Sequence, residues 1–119
     1  MKVLESGEDY LETILILAEK NKNVRSIDIV NEMNFSKPSV SVAMKKLKDN
    51  GYINIDGNGY ISLTESGYQI ASKTYEKHQV LTQMLVNLGV DEETARRDAC
   101  KIEHDISDES FEAIKHSIK

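Results

Sequence analysis

The sequence predicts a mostly α-helical fold with one small β-hairpin, arranged as a winged helix-turn-helix followed by further helices. Apolar residues recur at helical spacing along most of the 119 residues. Two β-favouring runs, residues 52–55 and 60–63, flank an Asp-Gly-Asn-Gly segment at 56–59 that is typical of a tight turn. The resulting order of helix, helix, turn, helix and hairpin is that of a winged helix-turn-helix.

Two helices are predicted before the turn. The first covers residues 8–20, and an asparagine-rich segment at 21–23 ends it. The second begins at Ser26, the expected N-cap, and three of its apolar residues are expected to face inward. These three residues are Ile27, Val30 and Met33. A tight turn at residues 34–35 follows.

The third predicted helix has one apolar and one polar face. Ser36 is its expected N-cap, and Pro38 is tolerated in the first turn because an N–H there would have no helical partner. The apolar face consists of Val40, Ala43, Met44 and Leu47. The other face carries hydroxyls and lysines, which suit contacts with DNA bases and phosphates. The residues expected to contact DNA are Ser36, Lys37, Pro38, Ser39, Ser41, Val42, Lys45 and Lys46.

Three helices are predicted beyond the hairpin. Thr64 is the expected cap of a long helix over about residues 65–88, and Gly89 ends that helix. Its predicted inner stripe is Ala71, Tyr75, His78, Leu81 and Leu85. The next helix is expected at about 91–106, and Ser107 is the expected N-cap of the last one. The predicted domain boundary lies between residues 64 and 65.

The net charge of −5 conceals an uneven distribution of charge. Residues 20–50 hold seven basic and three acidic residues, whereas residues 88–119 hold five basic and nine acidic residues. The average charge disfavours a protein that coats nucleic acid or membrane through a uniformly basic surface. The segment around the third helix is nevertheless positive. Lysines on an amphipathic helix are often only solvated surface, but the hairpin directly after this helix favours DNA contact.

Composition excludes several other classes of protein. No run of about eighteen apolar residues is present, so no membrane span is predicted. The N-terminus lacks the apolar core of a signal peptide, and no Gly-rich nucleotide loop occurs. Cys100 is the only cysteine, which excludes an internal disulfide and fits a reducing cytoplasm.

Six residues with metal-ligating side chains form a second pattern. Cys100, Glu103 and His104 are spaced i, i+3, i+4 on one predicted helix, Asp9 and Glu12 are spaced i, i+3 on the first, and His78 lies on the inner stripe of the long helix. Each has a simpler explanation when taken alone. The two first-helix carboxylates can complement the helix macrodipole, a histidine on an apolar stripe is usually hydrogen-bonded core, and a lone cysteine is usually a small buried hydrophobe. Together they suggest that three helices converge on one divalent cation or a pair.

Several stretches resemble the iron- and manganese-dependent repressor family, typified by the diphtheria toxin repressor and the manganese transport regulator. They are EDYLETI at 8–14, SKPSVS at 36–41, LTESG at 63–67, KH at 77–78 and DACKIEH at 98–104. The resemblance implies a metal-activated transcriptional repressor of metal homeostasis, not an enzyme, that binds double-stranded operator DNA as a homodimer. It implies a winged helix-turn-helix domain at 1–64 and a helical metal-sensing and dimerisation domain at 65–119. The length resembles the short branch of the family, without the SH3-like domain.

The same resemblance implies the metal ligands. Carried over position by position, they are Asp9, Glu12, His78, Cys100, Glu103 and His104. Cys100 matches the iron-responsive branch, whereas Asp9 matches the manganese branch. Fe(II) or Mn(II) is the expected effector, with iron favoured because thiolate is the softer ligand, and Zn, Co or Ni can bind in vitro.

The expected mechanism is a population shift in which metal fixes the spacing of two recognition helices in a dimer. The expected dimer surface is apolar and consists of Leu85, Leu88, Phe111, Ile114 and Ile118.

A winged-helix regulator that responds to an organic ligand is the main alternative, with Cys100, Glu103 and His104 as ordinary surface residues. A metalloenzyme is a weaker alternative, because no general base or nucleophile stands apart from the ligand set.

Overall fold

The computed structural model describes residues 5–20 and 23–118, which form six α-helices and one two-stranded antiparallel sheet. In chain order the elements are α1 (Glu5–Lys20), α2 (Ser26–Met33), α3 (Lys37–Asp49), β1 (Ile53–Ile55), β2 (Ile61–Leu63), α4 (Glu65–Asn87), α5 (Glu92–Ile102) and α6 (Asp108–Ser117). The predicted fold class is confirmed. Most of the segment expected to end the first helix, 21–22, lies outside the described residues.

The chain divides into two compact units, the first ending at Ser72 and the second beginning at Lys73. The first unit contains α1 to α3, the hairpin and the beginning of α4. The second contains the rest of α4 together with α5 and α6. Among the described residues, no helix is both long enough and apolar enough to cross a membrane.

The core of the first unit is built by one apolar face from each of its three complete helices. The fully buried side chains include Leu11 and Ile14 of α1, Ile29 of α2 and Val40 of α3. The stripe predicted for α2 was wrong at Ile27, which is 43% exposed, whereas Val30 and Met33 are half-buried. Ile29 is the fully buried residue of this helix, and two polar residues, Ser26 and Asp28, are half-buried beside it, which the apolar residues alone do not reveal.

The helix-turn-helix is held by local capping interactions. Ser36 Oγ accepts a hydrogen bond from the Ser39 backbone N–H at 3.2 Å, so the predicted N-cap of α3 is confirmed. The predicted N-cap of α2 was one residue late. Arg25 occupies that position, and its backbone N–H donates to Asp28 Oδ2 at 2.9 Å. Asn34, in the turn, has a φ of 57° and lies in the left-handed region, which asparagine tolerates better than most residues.

The hairpin pairs β1 with β2 in antiparallel register, with Asn54 opposite Ser62. Its loop is closed by Asp56, whose Oδ1 accepts hydrogen bonds from the backbone N–H groups of Asn58 and Tyr60 at 2.8 and 3.0 Å. The Ile61 N–H donates to the Val24 carbonyl at 2.7 Å. Val24 thereby adds a bridge beside β2 and fixes the segment before α2 to the wing.

The start of α4 is tied to the end of α3. Thr64 Oγ1 donates to the Gly51 carbonyl at 2.7 Å and accepts from the Gly67 N–H at 3.2 Å, which confirms Thr64 as a capping residue. Gly67 packs so closely that a Cβ built there would lie 2.0 Å from the Tyr52 carbonyl oxygen. This approach requires glycine at residue 67.

The second unit has its own buried centre. Leu81 of α4, Ala95 and Ala99 of α5 and Phe111 of α6 are 2% exposed or less. Phe111 was predicted to contribute to a dimer surface, and this was wrong because the ring belongs to the core of the unit. Leu88, from the same predicted surface, is 74% exposed.

Two helix boundaries in the second unit differ in how well they were predicted. The predicted N-cap of α6 is confirmed, since Ser107 Oγ accepts from the Ser110 N–H at 3.1 Å. The end of α5 was placed too late: the helix stops at Ile102, and residues 103–105 form a turn. The turn is closed by a hydrogen bond from the Ile106 N–H to the Ile102 carbonyl at 3.0 Å.

Candidate metal centre and DNA-reading surface

The most buried of the candidate ligands is Glu103, the residue that directly follows α5. Its side chain has no exposed surface, and its Oε1 lies 3.0 Å from Nδ1 of His78 on α4. A carboxylate is rarely buried in this way unless a cation or hydrogen-bond donors compensate for lost water. The second unit therefore holds one imidazole and one carboxylate in direct contact.

Cys100 and His104 form a second pair in the same unit. Both side chains are half-buried, and their ligand atoms lie within 4.8 Å of each other. The sequence analysis placed both on one helix, but α5 ends between them. Glu103 keeps helical backbone angles, with φ −58° and ψ −26°, so the i, i+4 neighbourhood continues one residue past the helix end.

In the first unit, Asp9 and Glu12 lie three residues apart on α1. Glu12 is 8% exposed and Asp9 is half-buried. Because α1 begins at Glu5, Asp9 lies beyond the first turn. The helix macrodipole interacts with charges mainly within the first turn. It therefore does not account well for the two carboxylates.

The donor set fits a divalent transition metal. It contains three carboxylates, two imidazoles and one thiolate, ligand types that bind Mn(II), Fe(II) and Zn(II). Glu12 and Glu103 are both carboxylates with little water contact, and a bound divalent cation supplies the positive charge that such groups need.

The polar face of α3 is fully open to solvent. All eight residues predicted to contact DNA are exposed, namely Ser36, Lys37, Pro38, Ser39, Ser41, Val42, Lys45 and Lys46. Their exposure follows from the burial of Val40, Met44 and Leu47 on the opposite side of the helix. Val42 is an apolar residue on this open face, with 57% of its surface exposed.

One basic residue, Arg25, was not among the residues predicted to contact DNA. The guanidinium carbon of Arg25 lies 4.6 Å from the centroid of the Tyr60 ring. Tyr60 directly follows the wing loop, and Arg25 directly precedes α2. The only signal in the sequence was the position of each residue at an element boundary, and nothing local predicts that the two meet.

The fold and these residues define a class of protein: a winged helix-turn-helix regulator with a helical region that carries metal-ligand side chains. Comparison with protein families is consistent with this class. Residues 2–60 match the N-terminal DNA-binding domain of the iron dependent repressors, and residues 64–119 match their metal binding and dimerisation domain. The chain belongs to the iron-dependent repressor family, whose members are transcriptional regulators and not enzymes.

Individual relatives share most of the chain. An uncharacterized HTH-type transcriptional regulator of Methanocaldococcus jannaschii is 40% identical over 113 residues, which cover 93% of this chain and 90% of that protein. The transcriptional regulator MntR of Escherichia coli O157:H7 is 33% identical over 108 residues, covering 91% and 70% respectively.

Solved structures show the same fold. The manganese regulator SloR aligns with a TM-score of 0.84 at 29% identity, covering 99% of this chain and 54% of that one. A manganese-dependent transcriptional repressor in complex with manganese aligns with a TM-score of 0.85 at 26% identity, covering 93% and 51%. The chain thus spans about half the length of these two solved proteins.

Proposed function

We propose that this chain is a metal-activated repressor that binds operator DNA as a homodimer in the cytoplasm and controls metal homeostasis. The observation that carries the proposal is the pairing of four metal-ligand side chains in the second unit. They are His78 with Glu103 and Cys100 with His104. The exposed Lys and Ser face of α3 supports the DNA-binding half of the proposal.

The proposed ligand set adds Asp9 and Glu12 of α1 to these four residues. The support for these two is their residue type, their low exposure and the family resemblance of residues 8–14. The proposed division of labour assigns DNA reading to residues 1–64 and metal sensing with dimerisation to residues 65–119.

The proposed effector is Fe(II) or Mn(II). Asp, Glu and His are suitable ligands for both, and the thiolate of Cys100 favours Fe(II) over Mn(II). Both solved relatives described above are manganese-responsive proteins by name. For this chain we favour iron, because Cys100 is among the proposed ligands.

The proposed mechanism is a shift between conformations. A metal can be bound by residues of α1 and of the second unit at the same time only when the DNA-binding and dimerising parts adopt one arrangement. Metal then selects that arrangement, and two recognition helices in a dimer are held at the spacing of successive major grooves. The gain in DNA affinity cannot exceed the preference of the metal for that state.

A parallel titration tests the proposal. DNA binding by the wild-type chain is measured anaerobically with Fe(II), Mn(II) and Zn(II), because air can oxidise the Cys100 thiolate. The expected result is DNA binding that is stimulated by Fe(II) or Mn(II) and lost with a chelator. A wild-type chain with no affinity for any of these ions would overturn it. Stimulation by a small organic molecule instead would indicate a ligand-responsive regulator.

A further inference from the structure

The wing of this protein carries no cation of its own. Residues 56–59, which form its loop, contain no lysine or arginine. They do contain Asp56, whose carboxylate is engaged with backbone N–H groups inside the loop. A wing without positive charge has little attraction for the phosphates that flank the groove occupied by a recognition helix.

Arg25 places a positive charge beside this wing. Its guanidinium carbon lies 4.6 Å from the centroid of the Tyr60 ring, and the residue is exposed. Among the described residues, no carboxylate forms an ion pair with it. The carboxylate of Asp28 binds the backbone of Arg25 instead, because its Oδ2 accepts the Arg25 backbone N–H at 2.9 Å.

The backbone holds the two residues together. The hydrogen bond from the Ile61 N–H to the Val24 carbonyl, 2.7 Å long, joins the neighbour of Arg25 to the neighbour of Tyr60. The ring then restricts the rotamers of a long flexible side chain. A guanidinium that stacks on an aromatic ring uses its face and keeps the N–H donors of its edge available for a phosphate.

Arg25 also lies where a helix-turn-helix meets the DNA backbone. It is the N-cap of α2, the first helix of the motif. In this motif the second helix occupies the major groove while the first crosses the backbone. We infer that Arg25, preorganised by Tyr60, binds a DNA phosphate next to the wing and replaces the cation that the wing loop lacks. This inference rests on the proposed DNA-binding function and adds a contact to it.

The test measures salt dependence, which counts phosphate contacts without knowledge of the operator sequence. Metal-loaded full-length protein is titrated with a duplex of random sequence between about 50 and 200 mM salt. Each phosphate contact contributes a slope of about 0.9 in log K against log salt, or about threefold in affinity over this range. Arg25→Gln is expected to reduce the slope by that amount.

Two substitutions of Tyr60 test whether its aromatic ring positions the Arg25 side chain. Tyr60→Phe keeps the stacking face and is expected to retain the wild-type slope and affinity. Tyr60→Leu removes the stacking and is expected to lower the affinity, with little further loss when Arg25→Gln is added, because the two residues act together. Thermal unfolding of each variant establishes that it is folded.

Arg96→Gln is the matched control, because Arg96 is also exposed but pairs with Glu92 on α5 in the second unit. It is expected to leave the slope unchanged. An Arg25→Gln variant with the wild-type slope overturns the inference while the proposed function stands. Equal slopes and affinities for Tyr60→Leu and the wild type overturn the role of the ring. A wild-type protein that binds no duplex with any of the three metals overturns the proposed function, and the inference with it.

Discussion

Nδ1 of His78 lies 3.0 Å from Oε1 of Glu103, a carboxylate whose side chain is wholly buried although the two residues are 25 positions apart. The contact joins the middle of α4 to the turn after α5 and brings together two of the proposed metal ligands. It also gives one oxygen of this buried carboxylate, Oε1, a partner, because an imidazole N–H or an imidazolium can donate to it.

Replacing Glu103 is expected to abolish metal-stimulated DNA binding without unfolding the chain. Glu103→Gln keeps the shape of the side chain and its hydrogen-bonding capacity towards His78 but removes the negative charge that a cation requires. Anaerobic calorimetry with Mn(II) and Fe(II) measures metal affinity, and circular dichroism measures the fold. Glu93→Gln, at an exposed position in the first turn of α5, is the control. Wild-type metal affinity in Glu103→Gln would remove this residue from the proposed ligand set.

Replacing Cys100 is expected to change which metal is preferred. Cys100→Glu exchanges a soft thiolate for a hard carboxylate at a half-buried position, so affinity for Zn(II) and Fe(II) should fall relative to Mn(II). Cys100→Ser, with a weak neutral ligand, should reduce affinity for all three. Competition titrations under anaerobic conditions give the ranking, and an unchanged ranking in both variants contradicts thiolate ligation.

Val42 is expected to influence which DNA sequence is bound. It is 57% exposed on the α3 face that carries Lys45 and Lys46, and the thymine methyl is the apolar group that the major groove offers. Val42→Ala should cost about 1–2 kcal/mol on a selected high-affinity duplex. Replacing thymine by uracil in that duplex should weaken the wild type but not Val42→Ala.

The salt slope should not change in Val42→Ala, in contrast to Lys45→Gln, where it should fall by about 0.9. Equal losses of affinity in wild type and Val42→Ala on the uracil duplex would show that Val42 does not contact the methyl groups.

Gly67 is expected to be one of the least replaceable residues of the first unit. A Cβ there would lie 2.0 Å from the Tyr52 carbonyl oxygen, which is backbone and cannot rotate away. Gly67→Ala should lower the free energy of unfolding by more than about 2 kcal/mol, measured by urea titration. Gly57→Ala is the control, since a Cβ there meets nothing within 4 Å, and its effect should stay within about 0.5 kcal/mol. Equal midpoints for the two variants contradict the prediction.

Asp108 is expected to give the second unit a pH-dependent contribution to stability. A hydrogen bond from Lys73, together with the charge of that lysine and a lesser contribution from Lys77, lowers the pKa of Asp108. Because the folded pKa is lowered, the contribution is present above the unfolded pKa and disappears as the pH falls through the folded pKa. The stability difference between wild type and Asp108→Asn should therefore shrink on acidification.

The same difference should shrink with added salt, because Asp108 is exposed and pairs at 2.9 Å with Lys73, which is also exposed, and at 3.4 Å with the more buried Lys77. Urea titrations at neutral and acidic pH, each at low and high salt, measure it. A difference that is independent of both pH and salt would show that the charge of Asp108 does not contribute to stability.

Local signals in the chain predicted most of the elements and their N-terminal boundaries. Ser36, Thr64 and Ser107 were expected as caps, and each accepts a backbone N–H three residues ahead. Such interactions involve only residues close in sequence, so residue type and spacing suffice to predict them. The six side chains suited to a metal were recognisable for the same reason.

Other features depended on packing between segments that are distant in the chain. The early end of α5 at Ile102, the burial of Phe111 and the inward position of Ile29 could not be read from periodicity. For Phe111 and Ile29, the apolar spacing allowed more than one orientation of the helix, and the neighbouring helices selected one. Propensity and pattern are weak where tertiary contacts carry most of the free energy.

The contacts that matter most for function belong to this second group. Nothing near His78 in the sequence indicates that it meets Glu103, and nothing near Arg25 indicates that it meets Tyr60. Composition and spacing specified the available side chains and the elements that carry them. Their pairing arose only when a helix, a turn and a wing packed together, because side-chain chemistry is local whereas distance between remote residues is set by the folded chain.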